Sequence, residues 1–274
     1  MKKSLLLLLA VSLLAACSSD SPETETTQSS QETISSSEDV SSSNASSQDV
    51  IEEESVAYEY DINQAIFTVE PIDDAPVEVA LLTFDDAPQP PNSYSLAIAH
   101  TVKEKDANAI FFVVGQFLED ETSQAIIKEI YDMGFEIGNH SYSHPDFHSL
   151  TYEEQKEEIV KTNDNIEAIT GQRPRFIRPP YGQYDDNTLA VIEEEKMTMM
   201  NWTYGYDWEE AYMNTPALAD IMVNTEFLGN GANLLMHDRE WTAGAIGDII
   251  DGLREKGYEM VDPALIASPE REED

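Results

Sequence analysis

From residue 77 onward, short apolar runs alternate with amphipathic segments of helical period. No other feature of the chain restricts its fold as strongly. Apolar runs at 77–84, 109–114, 135–138, 176–178, 198–203, 233–236 and 258–261 predict strands. Between them, 93–105, 122–133, 151–170, 186–195, 216–227 and 242–256 carry helical periodicity. Thr151 with Glu154 three residues on forms a capping box at the start of the third helix. About seven β/α units in succession imply an α/β domain built on a parallel sheet. That number suits a small or irregular (β/α) barrel better than an open sheet, and periodicity alone leaves both open.

The polar clusters fall in one kind of place. Asp85-Asp86, His140, Arg178, Asp207 and His237 all lie at or just past the C-terminal end of a predicted strand. In a (β/α) barrel that rim is where sites are built. Adjacent residues of a strand face opposite sides, so one carboxylate of Asp85-Asp86 is free to bind a metal while the other serves as a base. A lone Asp-Asp is as readily an acidic turn. His140 and His144, at i and i+4 in HSYSH, can face one ion from a helical turn or a tight loop. With Asp86 they make a two-histidine, one-carboxylate set with open positions, suited to zinc in a hydrolase and less often to iron or another divalent ion. His148 continues the spacing, but Pro145 interrupts any helix, and His100 reads as a surface or packing residue.

Arg178 opens the stiff stretch RPPYG. Aimed inward, its guanidinium would lower the pKa of Asp85 and orient it, and the rigid loop could offer backbone N–H groups to an oxyanion. A plain Pro-rich turn is the alternative. In LLMHD, His237 at a strand end, oriented by a carboxylate, makes a general acid. Trp208, in YDW, is either a platform for a sugar ring or a core residue.

Taken in order, TFDDAP, HSYSH, RPPYG, YDW and LLMHD resemble the polysaccharide deacetylases of carbohydrate esterase family 4, the NodB-homology domain, over residues 77–267. The resemblance implies a distorted (β/α) barrel of about seven parallel strands and metal-dependent removal of acetyl groups from polysaccharides. By motif position it makes Asp85 the general base and Asp86, His140 and His144 the metal ligands. Arg178 would orient the base, Tyr181 would give a backbone N–H to the oxyanion, and Asp207 would tether the general acid His237. Trp208 and Leu235 would wall the acetyl pocket. The implied cofactor is one divalent ion, zinc foremost, with cobalt, manganese or nickel as alternatives. The expected reaction is N-deacetylation of N-acetylglucosamine in peptidoglycan or a chitin-like polymer, a hydrolysis of carbon–nitrogen bonds in linear amides. O-acetyl esterase action on xylan or similar glycans and a non-catalytic glycan-binding role are the alternatives. Two positions depart from the family pattern. Ala87 replaces the usual Gly, and would strain the loop if that residue needs φ > 0. Tyr204 stands where some members carry a further Asp.

The N-terminal part reads differently. Residues 1–17 have Lys2 and Lys3, then an apolar run too short to span a bilayer comfortably, ending in Leu14-Ala15-Ala16-Cys17. Cys17 is the only cysteine in the chain. The stretch resembles a bacterial lipobox, which implies a lipid anchor on Cys17. Residues 18–76 lack Lys, Arg and Gly and are rich in Ser, Thr and Glu, which predicts a mostly disordered acidic tether up to about residue 56; 58–69 can add a strand. Residues 268–274 form an acidic tail. The formal net charge is −39, which argues against nucleic acid or anionic lipid as a partner and would also repel anionic wall polymers. The expectation is an extracytoplasmic, lipid-anchored monomer of a Gram-positive cell acting on an acetylated polysaccharide.

Overall fold

The computed structural model describes residues 57–269. The lipobox with Cys17, the tether up to residue 56 and residues 270–274 lie outside the described residues. In chain order the elements are β1 (Tyr60–Ile62), β2 (Val69–Pro71), β3 (Val79–Ala87), α1 (Ser95–Glu104), β4 (Ile110–Val113), α2 (Glu121–Asp132), β5 (Glu136–Asn139), α3 (Tyr152–Thr170), β6 (Phe176–Ile177), α4 (Asp186–Glu194), β7 (Thr198–Met199), β8 (Tyr204–Gly205), α5 (Thr215–Asn224), β9 (Ala232–His237), α6 (Glu240–Glu255) and β10 (Glu259–Met260). The capping box at Thr151 and Glu154 is formed, and α3 ends at Gly171 in the left-handed conformation. Among the described residues, no helix is long and apolar enough to cross a membrane.

Seven parallel strands run along one path, β7-β6-β5-β4-β3-β9-β8, and β10 pairs with the start of β3. The sheet curls into a half-barrel with helices around it, as the resemblance implies. Strand β3 shows why. Ala80, Leu82 and Phe84 join the layer under α1, α2, α5 and α6, while Val79 and Leu81 face the interior. Both faces are covered, so the strand reads as a continuous apolar run instead of an alternating one.

Of the predicted strand 198–203 only 198–199 is strand, as β7, and β8 at 204–205 lies at the opposite end of that path. Residues 200–203 cross the seam between them. The reason is a buried cation: Arg178, fully buried, donates from Nε to the Met200 carbonyl and from Nη2 to the Asn201 carbonyl, both at 3.0 Å. A guanidinium taken out of water needs acceptors, and these carbonyls serve it instead of a strand ladder. Asn233 Nδ2 also donates to the Asn201 carbonyl, at 2.9 Å, which ties the crossing segment to β9.

The segment 58–69 does not extend the main sheet. β1 and β2 form a separate antiparallel pair. Tyr60, Ile62 and Val69 pack with Val79, Leu81, Ile110, Phe112, Phe176, Val261 and Ile266, and so close the barrel where its strands begin. The seal is tight at Gly231. Its φ is +69°, it accepts the Val69 N–H at 2.8 Å, and a Cβ there would lie 2.0 Å from the Val69 carbonyl oxygen.

Candidate active site

At the other end of the barrel the strand termini bring the charged residues together. Asp85 and Asp86 close β3. Strict alternation would send them to opposite faces, but the β3–β4 register shifts between Phe84 and Ala87, and Asp86 adopts φ +62°. Asp tolerates this left-handed conformation better than most residues. The kink turns both carboxylates toward one imidazole: His140 Nε2 lies 3.6 Å from Asp85 Oδ2 and 3.9 Å from Asp86 Oδ1. The left-handed residue is therefore Asp86, whereas Ala87 is an ordinary buried strand residue. The expected strain at Ala87 is absent for that reason.

His140 and His144 sit in a tight loop after β5, with Ser141 at φ +63° and His144 at φ +58°. Local hydrogen bonds hold that shape. Asn139 Oδ1 accepts the Ser141 N–H at 2.7 Å, Ser141 Oγ accepts the His144 N–H at 3.0 Å, and Glu158 accepts the N–H groups of Tyr142 and Ser143. His140 Nδ1 meets the Arg178 carbonyl oxygen at 2.7 Å. An acceptor there requires the proton on Nδ1, which leaves the Nε2 lone pair facing Asp86. His144 Nε2 lies 3.8 Å from Asp86 Oδ1. Among the described residues, Asp86, His140 and His144 are the one group of three whose donor atoms all lie within 4.8 Å of one another.

The charge states suit a metal site. Burial would raise the Asp86 carboxyl, but His140, His237, His144 and Arg239 around it outweigh burial and hold it below the usual carboxylate range. Burial, with His140 beside it, pulls His144 below the ordinary imidazole value. The set is thus an ionised carboxylate with two imidazoles, one of them, His140, oriented by a backbone carbonyl. That donor set fits a divalent ion of the zinc type.

Two ion pairs flank it. Arg178 Nη1 donates to Asp85 Oδ1 and to Thr83 Oγ1, both at 2.7 Å, and its guanidinium lies over the Phe112 ring at 4.4 Å. Burial lowers the Arg178 pKa while Asp85 opposes the loss of its proton. On the adjacent strand β9, His237 Nδ1 donates to Asp207 Oδ1 at 2.7 Å, and the His237 N–H donates to Asp207 Oδ2 at 2.6 Å. Asp207 is itself fully buried and also receives Thr242 Oγ1 at 2.8 Å. Burial would lower the His237 imidazole, but the Asp207 hydrogen bond and charge prevail and lift it above its ordinary value. Asp85 and His237 are direct neighbours in the β3–β9 register.

Asp85, Asp86, His140, His144 and His237 line a cleft of about 430 Å³ together with Tyr181, Trp202, Trp208 and Leu235. Tyr181 has φ +57°, and its backbone N–H has no protein acceptor among the described residues. Its ring meets His144 edge-on at 4.7 Å. Gly182 follows at φ +67°, where a Cβ would come within 3.0 Å of the Trp202 ring. Trp208, 43 % exposed, stands edge-on to His237 at 5.5 Å, so it is a cleft wall and not a core residue. His100 and His148 lie outside the cluster: His100 pairs with Glu129 on the surface, and His148 meets the Tyr184 carbonyl. Tyr204 is buried in β8, its hydroxyl on the Met222 carbonyl at 2.7 Å.

Sequence reasoning missed three residues. Trp202 carries no motif and is placed by the seam crossing. Asp238, part of LLMHD, is buried and receives the Gln89 N–H, the Tyr94 N–H and the hydroxyls of Ser93 and Ser95, so it pins the loop after β3. Arg239 Nη2 lies 3.1 Å from Asp86 Oδ2. Its position beside HD was the one available signal.

The family described as Polysaccharide deacetylase matches residues 73–200. Bacillus subtilis PdaC, a peptidoglycan-N-acetylmuramic acid deacetylase, is 36 % identical over 188 residues, which cover 67 % of this chain and 38 % of that protein. A solved structure of PdaC aligns with a TM-score of 0.61 at 32 % identity, covering 70 % of this chain and 91 % of that one. The peptidoglycan-N-acetylglucosamine deacetylase of Bacillus cereus is 32 % identical, over 67 % of this chain and 66 % of that protein. The chain thus spans less than two thirds of the length of these curated relatives. A family 4 carbohydrate esterase pseudoenzyme from Bacillus anthracis aligns with a TM-score of 0.61 at 29 % identity, covering 68 % of this chain and 64 % of that one.

Proposed function

The chain belongs to the polysaccharide deacetylase family, family 4 of the carbohydrate esterases, and we propose that it hydrolyses the acetamide of N-acetylated amino sugars in peptidoglycan or a chitin-like polymer. The observation that carries this reading is the pairing at one barrel mouth of a buried Asp85–Arg178 couple and a His237–Asp207 couple on either side of Asp86, His140 and His144.

Asp86, His140 and His144 would hold the divalent ion, zinc by donor chemistry, with cobalt, manganese or nickel as alternatives. That ion supplies Lewis acidity to the acyl carbonyl and lowers the pKa of the attacking water. Asp85, held in place by Arg178, removes a proton from the water as its oxygen bonds to the acyl carbon. The Tyr181 N–H donates to the oxyanion that forms. His237, its Nδ1 proton held by Asp207, gives a proton from Nε2 to the nitrogen as the C–N bond breaks. Acetate and the free amine leave. Trp208 and Leu235 flank the acetyl group in this arrangement.

The similarity to a pseudoenzyme favours testing a non-catalytic, glycan-binding reading beside it. Acetate release from peptidoglycan, chitin oligomers and acetylated xylan, with and without a chelator, separates the readings. Chelator-sensitive release from an N-acetylated polymer supports the proposal. Release from xylan alone replaces it with an O-acetyl esterase, and glycan binding without any release leaves a binding protein. We also propose that the chain acts outside the cytoplasm as a monomer, anchored by lipid on Cys17. Cys17→Ser should free it from the membrane fraction, and its retention there would reject the anchor.

A further inference from the structure

Among the described residues, Arg239 is the one arginine or lysine whose charged group pairs with a proposed metal ligand, and the mechanism above gives it no part. It precedes α6 and is held on two sides. Its Nη1 donates to Gln89 Oε1, from the loop after β3, and to the Asp238 carbonyl at 3.1 Å. The backbone beneath it is fixed in turn, because buried Asp238 is clamped by four donors from residues 89–95. From this seat Nη2 reaches Asp86 Oδ2 at 3.1 Å. The other oxygen, Oδ1, is the one that faces His140 and His144, at 3.9 and 3.8 Å.

A carboxylate on a freely rotating Cβ–Cγ bond can offer a cation either oxygen or both. Here the two oxygens are divided between two partners. We infer that Arg239 is a positioning residue for Asp86: by occupying Oδ2 it presents Oδ1 alone to the ion, and so keeps the site a three-donor site with room for water and substrate. This inference rests on the metal-site reading of Asp86, His140 and His144. Outer partners of ligating carboxylates commonly act in this way, and their removal costs roughly 10–100-fold in metal affinity or activity.

The test measures metal affinity without reference to turnover. Zn²⁺ affinity is determined by competition with a chromophoric chelator for the full chain and for Arg239→Met, Arg239→Lys and His140→Ala, each checked for folding by thermal unfolding. The Co²⁺-loaded forms are compared by visible absorption. The inference expects Arg239→Met to bind Zn²⁺ roughly 10–100-fold more weakly with an altered Co²⁺ band, and Arg239→Lys, which keeps a donor near Oδ2, to recover most of both. Unchanged affinity and an unchanged band in Arg239→Met would make the contact an ordinary ion pair. Tighter binding in Arg239→Met would make Arg239 a competitor of the metal. Either result overturns the inference while leaving the metal site intact, provided that His140→Ala loses Zn²⁺. If His140→Ala keeps its metal, the metal-site reading fails and the inference falls with it.

Discussion

The two mouths of the barrel are built from the same strands and have opposite chemistry. Where the strands begin, Tyr60, Ile62 and Val69 from the β1–β2 pair seal the interior with apolar side chains. Where they end, Asp85, Asp86, His140, Arg178, Asp207 and His237 are gathered around an open cleft. Strands such as β3 serve both, with Val79 and Leu81 in the seal and Thr83 and Asp85 in the site, all on its inward face. Stability and chemistry are thus separated along the strand axis, not across its two faces. Above this apolar floor the buried Arg178–Asp85 pair is costly to desolvate, and it persists because Arg178 meets Thr83, Met200, Asn201 and Asn233 besides Asp85.

If that separation is real, substitutions at the two mouths should part stability from turnover. The largest effect belongs to the open mouth. Asp85→Asn and His237→Ala should each lower acetate release by about 10²–10⁴-fold with metal content retained, the usual worth of a positioned proton-transfer group. Near-parental turnover in either variant would move that role to another residue. A pH profile sharpens the point. Burial alone would lower His237, but Asp207 raises it, so the basic limb of activity should lie above the ordinary imidazole range. Asp207→Asn should move that limb to lower pH, because the neutral amide removes the raising charge. A limb that stays in place would mean another group donates the proton.

Next comes the sealed mouth. Ile62, 3 % exposed, is part of the plug. Ile62→Ala should cost about 2–5 kcal/mol of stability, the usual range for deleting a buried aliphatic side chain, with turnover per folded molecule unchanged. Denaturant unfolding beside an activity assay checks both. A tenfold fall in turnover at unchanged folded fraction would show that the floor shapes the site. The smallest effect tests the hinge between site and strand. Ala87 is an ordinary strand residue, so Ala87→Gly should destabilise by about 0.5–1 kcal/mol and leave activity alone. A stabilised variant would mean that Ala87 is strained after all.

The order of the β/α units and the positions of Asp85, Asp86, His140, Arg178, Asp207 and His237 at strand C-terminal ends could be derived from the chain, because strand and helix periods and strand ends are local properties. His144 was legible too, but only as a spacing: the tight loop that carries it depends on Glu158, 15 residues beyond Ser143, as well as on nearby Asn139. Periodicity extended the fifth strand through 198–203, since nothing local says that a guanidinium 22 and 23 residues before Met200 and Asn201 will claim their carbonyls. It also set Asp85 and Asp86 on opposite faces, which the left-handed kink at Asp86 undoes.

What the sequence determined by itself was therefore the architecture and the donor inventory, both consequences of which side chains recur at which period. Only the tertiary structure decided how those donors are aimed. The plug at Gly231, the seam crossing by Trp202 and the division of the Asp86 carboxylate between His140, His144 and Arg239 all join residues far apart in the chain. Their physical cause is desolvation: once buried, each charge and carbonyl must find its partner wherever the fold has brought one.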